Sequence, residues 1–87
     1  MARVFIPAQW RDLSGGTADV QLEGATVAQI IDALDARFPG MAARARDEDG
    51  IAAGLAVSID DVITSRGLRA KVAADSEVHF LPAIGGG

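Results

Sequence analysis

The chain has 87 residues, 49% of them apolar: long enough for one small core and too apolar to be disordered. The absence of cysteine excludes a disulfide, a Cys-ligated zinc site, a thiol nucleophile and a persulfide held on a side chain. Twelve acidic against eight basic residues leave a net charge of −4, which favours solubility and works against a nucleic-acid partner.

In ARVFIPA, Ala2 to Ala8, Val4 and Ile6 alternate with Arg3 and Phe5, the period of a strand with one buried face. Ser14-Gly15-Gly16 is a turn signal. Ala18 to Gly24 alternates again, with Val20 and Leu22 between Asp19, Gln21 and Glu23, so an antiparallel hairpin is expected. From Thr26 the period changes. Val27, Ile30, Ile31, Leu34 and Phe38 form a single stripe at helical spacing. Thr26 and Gln29 fit a capping box, Arg37 suits the negative end of the helix dipole, and Pro39-Gly40 stops the helix.

Met41 to Gly50 reads as one further helical turn followed by an acidic loop. Leu55, Val57 and Ile59 then alternate inward, Asp60-Asp61 turns the chain, and Val62-Ile63 is a short edge strand. In EVHFLPA, Glu77 to Ala83, Val78 and Phe80 face inward while Glu77, His79 and Leu81 face outward. Pro82 cannot donate to a ladder, so the strand ends or lies at an edge there. Strand, strand, helix, strand, short strand, strand is an α+β order. The helix must cross one face of a mixed sheet of four to five strands, and the β-grasp arrangement has that order. One domain over residues 1–87 is expected, with a flexible glycine tail from about residue 83.

The longest apolar run, from Ile51 to Ile59, falls short of the ~20 residues of a membrane helix, and MARVFIPAQW lacks a signal-peptide core. A cytoplasmic protein without a membrane partner is expected. DEDG, Asp47 to Gly50, fails as a calcium loop because the glycine position holds Ala52, so it reads as a solvated acidic loop. Asp60-Asp61 reads as a turn before it reads as a carboxylate dyad. His79 is the single histidine, on an outward position with no triad in view, and reads as a surface residue. With Phe5, Leu81, Pro82 and Ile84 it marks an expected partner interface beside the tail. No phosphate loop or metal-ligand set is present in the sequence, and no catalytic residue is assigned.

What remains is the ending, LPAIGGG. An isolated run of glycines is ordinarily a linker. Directly after a final strand it also makes a bare backbone able to thread a narrow passage, since glycine has no Cβ. VFIPAQWRDLSGG, GATVAQIIDALDARFPG and DSEVHFLPAIGGG together resemble the MoaD/ThiS family of ubiquitin-like sulfur carriers, over essentially the whole chain. The resemblance implies a β-grasp carrier that binds no cofactor itself. A partner adenylyltransferase, similar to ubiquitin-activating enzymes, would use ATP to adenylate the terminal carboxylate, and a sulfur donor would convert it to a thiocarboxylate. An acceptor enzyme, either the large subunit of molybdopterin synthase or a cysteine synthase, would then take the sulfur. Gly85, Gly86 and Gly87 would thread the partner's active site, with Gly87 as the modified residue. The family usually ends in two glycines. The third implies either that Gly87 is retained or that a metallopeptidase trims it and Gly86 carries the sulfur. The same tail also fits a ubiquitin-like protein modifier, and the fold alone fits a non-catalytic binding domain.

Overall fold

Strands with one apolar face hide that face by pairing side by side beneath a helix, and the chain begins in this way. In the computed structural model, which describes residues 1–83, β1 (Ala2–Phe5) and β2 (Asp19–Leu22) pair antiparallel with Val4 opposite Val20. The ladder stops sooner than the sequence suggests. Pro7 introduces a 3-10 turn at Ala8–Trp10, and Trp10 is carried into the core against Phe80 at a centroid distance of 5.2 Å.

Helix α1 (Val27–Arg37) buries Val27, Ile30, Ile31 and Leu34 completely. Phe38, read as the end of the stripe, is half-buried, because it already leaves the helix at φ −131 as the C-cap. Thr26 Oγ1 accepts from the Gln29 N–H at 3.2 Å, as a cap should. The Gln29 side chain, however, accepts from the Ala25 N–H at 2.7 Å, one residue before the donor of a capping box. Thr26 also bridges Lys71, so the helix entry is tied to the segment preceding the last strand.

The second helix, α2 (Met41–Ala45), is set off by Gly40 at φ 105, a left-handed angle that favours glycine. Asp35 Oδ1 joins the two helices by accepting from the N–H groups of Gly40 and Ala42. The acidic stretch is more ordered than a solvated loop. Short strands β3 (Arg46–Asp47) and β4 (Gly50–Ile51) pair there as a separate hairpin, and Asp47 Oδ1 accepts from the Asp49 N–H at 2.8 Å. A long-range ion pair fastens α2 to the β1–β2 connection. Arg44 donates to both carboxylate oxygens of Asp12 and to the Gln9 carbonyl. That hydrogen-bonded guanidinium holds the Asp12 carboxyl below its usual range. Its small contribution to stability is present above the ordinary carboxylate pKa and is lost as pH falls through the lowered folded value.

Strands β5 (Leu55–Ile59), β6 (Val62–Ile63) and β7 (Glu77–Pro82) complete a five-stranded sheet in the order β2-β1-β7-β5-β6. β7 is central, parallel to β1 and antiparallel to β5. Asp60 and Asp61 form the tight turn between β5 and β6 with φ of 51 and 70, so the paired aspartates are a turn, as their sequence suggests. The mixed sheet with one crossing helix is the β-grasp arrangement. Its core is mainly aliphatic, with Trp10, Phe80 and Met41 added. Leu34→Ala should therefore cost about 2–5 kcal/mol, the usual range for emptying a fully buried leucine site. Urea denaturation checks this, and an unchanged midpoint would show that α1 is not seated on the core.

Candidate functional site

The sheet has one face under α1 and one face open, and the expected interface residues lie on or beside the open one. Phe5 and His79 are opposite each other in the parallel β1–β7 register. Their rings stack at 4.1 Å between centroids and 5° between planes. Arg3 lies over the Phe5 ring, 4.8 Å from its centroid, and its Nε donates to Asp19 Oδ2. The open face therefore carries a continuous array of carboxylate, guanidinium, phenyl and imidazole. Leu81, half-buried and paired with Ala56, extends it towards the C-terminal end of β7. The structure thus brings Phe5 and His79 into direct contact and puts Leu81 on the same face.

Pro82 stands apart. It pairs with Leu55 and is on the inward alternation of β7, at the exposed rim of the sheet. Its place in a central strand has a geometric reason. Hydrogen-bonded pairs alternate along an antiparallel ladder, and the Ala83 N–H donates to the Gly54 carbonyl at 2.8 Å. The Leu55–Pro82 pair is consequently a non-bonded one, and the proline nitrogen points towards the β1 side, where pairing has already ended at Phe5. The strand can thus end on proline without losing a bond. The Ala83–Gly54 bond fixes where the chain leaves the sheet. Ile84, Gly85, Gly86 and Gly87, also assigned to the interface and tail, lie outside the described residues.

The other end of β7 is held by a polar network that the sequence did not disclose. Ser76, 2% exposed, donates from Oγ to Asp60 Oδ2 at 2.9 Å and accepts from the Ala73 N–H at 3.0 Å. Asp60 Oδ1 accepts from the Glu77 N–H at 2.9 Å. One carboxylate at a tight turn therefore aligns the start of the strand that ends at Pro82. The only signal available was the small polar residue of Asp75-Ser76 before an alternating strand, and nothing local pointed to Asp60. Among the described residues no group of His, Asp and Glu is arranged to hold a metal ion. Among them also, no helix is long and apolar enough to cross a membrane.

Comparison with known proteins adds kinship to this geometry. The ThiS family model matches residues 4–87. The sulfur carrier protein CysO of Mycobacterium tuberculosis is 32% identical over 89 residues, covering 97% of this chain and 96% of that protein. A chain in the crystal structure of the Amycolatopsis orientalis BexX/CysO complex has a TM-score of 0.90 at 35% identity, with 100% of both chains covered. The crystal structure of Mycobacterium tuberculosis CysO gives a TM-score of 0.88 at 27% identity over 97% of this chain and 100% of that one.

The network at the head of β7 makes a test. Asp60→Ala removes the acceptor for both Ser76 and Glu77 and puts alanine at a left-handed angle. A cost of roughly 1–3 kcal/mol is expected, with faster amide exchange at Glu77. Asp60→Asn, which keeps an acceptor and tolerates that angle, should lose less. Equal stability of the two variants would contradict the assignment.

Proposed function

The chain belongs to the ThiS family, and we propose that it is a sulfur carrier of the CysO kind, with the carboxylate of Gly87 as the group that holds the sulfur. A free carboxylate resists nucleophiles. In the proposed cycle a partner adenylyltransferase lets a carboxylate oxygen attack the α-phosphorus of ATP, releasing pyrophosphate and leaving an acyl-adenylate. A sulfur nucleophile at the sulfide level attacks the acyl carbon, AMP departs, and a thiocarboxylate remains. The likeness to CysO supports cysteine biosynthesis as the destination over molybdopterin formation, with a cysteine synthase as acceptor. The chain then acts as co-substrate, and the ATP belongs to the partner.

The observation that carries this reading is the match to the family over residues 4–87, together with the position of β7 in the centre of the sheet. Ala83 is tied to Gly54, so the residues beyond it start from a fixed root at the end of the strand that carries His79 and Leu81. A partner that docks on Phe5, His79, Leu81, Pro82 and Ile84 would thereby have the tail aimed at its active site. Fixing each tail residue costs ~1–2 kcal/mol of conformational entropy, which backbone hydrogen bonds inside the partner must offset. Glycine suits such a channel because no Cβ fills it.

Reconstitution with ATP, an adenylyltransferase of this family and sulfide tests the reading. Intact mass should show one oxygen replaced by sulfur, with fragmentation placing it on the last glycine. Gly86→Ala should block the change without altering the denaturation midpoint. Loss of Gly87 should impair sulfuration if that residue is the carrier, and should leave it intact if Gly86 is. Sulfuration that survives deletion of all three glycines, or that occurs at another position, would end the proposal. Docking has its own check: Leu81→Glu should weaken binding to the adenylyltranscferase by about tenfold or more, equivalent to ~1.4 kcal/mol, while the domain stays folded. Unchanged binding would put the docking surface elsewhere.

A further inference from the structure

The sheet edge formed by β6 is apolar and unpaired. In the β5–β6 hairpin Ile59 pairs with Val62 and Ser58 with Ile63, and the Thr64 N–H reaches the Val57 carbonyl at 2.9 Å. Bonded and non-bonded pairs alternate in such a ladder, so the Ser58–Ile63 pair is non-bonded. The N–H and C=O of Ile63 therefore point away from the sheet. The side chains there are uncovered as well, Val62 being 68% exposed and Ile63 57%. Natural edge strands are usually guarded by a charge, a proline or a bulge. β6 itself has none of these, and its guards lie just beyond it.

On its N-terminal side β6 follows directly on the Asp60-Asp61 turn, while the charged residues beyond its other end are cations. A groove beside β6 is lined by the aliphatic Ile59, Val62, Ile63 and Ala70, by the hydroxyl residues Thr64 and Ser65, and by Arg66 and Lys71. A neighbouring concavity is lined by Ser65, Arg66, Arg69 and Lys71. Three of the chain's eight basic residues thus fall within residues 66–71 of a protein whose net charge is −4. Arg3, Arg44 and Arg46 each have a carboxylate partner, whereas among the described residues Arg66, Arg69 and Lys71 have none. Each feature alone is ordinary. Together they place open backbone groups, an aliphatic groove and a positive border along one edge.

We propose that the β6 edge docks an extended acidic segment of a partner protein. The segment adds as a further strand on the Ile63 backbone groups, lays an aliphatic side chain against Val62 and the partly exposed Ile59, and meets Arg66, Arg69 and Lys71 with carboxylates. In this mode main-chain bonds supply affinity, while the groove and charges supply choice of partner. A second copy of the chain fits poorly, since it would bring the same cations face to face. A nucleic acid is opposed by the net charge of −4, and the exposed Val62 side chain has no counterpart on a phosphate backbone. β5 separates this edge from β7, so the site leaves the tail free and stands whether or not the tail carries sulfur.

The test is an amide NMR titration of the whole chain with a capped peptide of alternating valine and aspartate, beside versions carrying serine or lysine in place of aspartate. The aspartate peptide should give saturable shifts confined to residues 62–71 and slow the exchange of the Ile63 amide. Charge reversal at Arg66 and Lys71 together should weaken it about tenfold or more, with the remaining spectrum unchanged. Ile63→Pro, which removes the outward N–H on which the added strand would pair while leaving the β5 bonds intact, should abolish it. Equal binding of the serine or lysine peptide would overturn the proposal, as would shifts along β2 instead. Salt-sensitive shifts without slowed exchange at Ile63 would also overturn it, reducing the effect to general charge attraction. Concentration-dependent shifts in β6 without peptide would assign the edge to self-association.

Discussion

A strand paired on its edges and covered on one face has little freedom to move, and β7 is such a strand, held by β1 over Glu77 to His79 and by β5 as far as Pro82. It lies between β1 and β5, and Val78 and Phe80, 0% and 3% exposed, are buried on its inner side. Asp60 holds its first residue, and Gly54 holds the residue after its last. The rest of the molecule depends on that confinement. α1 has a flat apolar surface to cover, Trp10 has Phe80 to pack on, and Phe5 and His79 meet in register on the other side. The C-terminal segment accordingly leaves from the middle of the sheet and not from a loose edge.

What could be read from the sequence is what local periodicity determines. The stripe of α1 from Val27 to Leu34, the alternation of β1, β2 and β7, and the turn at Asp60-Asp61 follow from neighbours within a few residues, and the structure keeps them, whereas in β5 the outward Ser58 is buried. The misreadings lie where distant groups decide. Trp10 gave no pattern because its role is set by Phe80 across the core. The acidic stretch pairs as β3 and β4 although its composition reads as solvated. Ser76 is buried by an aspartate that local reasoning could read only as a turn residue. Of the candidate site, strand alternation identified the outward His79 and Phe5, though not that they would touch. The tail reading came from the resemblance, because glycines have no side-chain chemistry to interpret.

The parts divide the work in a way suited to a carrier. The covered face supplies stability; under the proposed function the open face would supply recognition and the tail the reacting group. The sheet keeps these roles apart, so activation and discharge of the tail as proposed would leave the core undisturbed. The β6 edge adds a second surface, separated from the tail by a full strand. A small acidic protein could in this way be held at one edge while its end is used elsewhere.

The lack of cysteine makes the central claim open to a direct measurement. Sulfur-specific retardation in a gel containing an immobilised organomercurial reports thiols and thiocarboxylates alike, and this chain has no thiol to confuse them. The protein taken from its own cells should be retarded, and should lose that retardation when mild hydrolysis returns the terminal thiocarboxylate to a carboxylate. Migration unaffected by mercury in cells supplied with sulfur, with the chain found instead in isopeptide-linked adducts, would contradict the account.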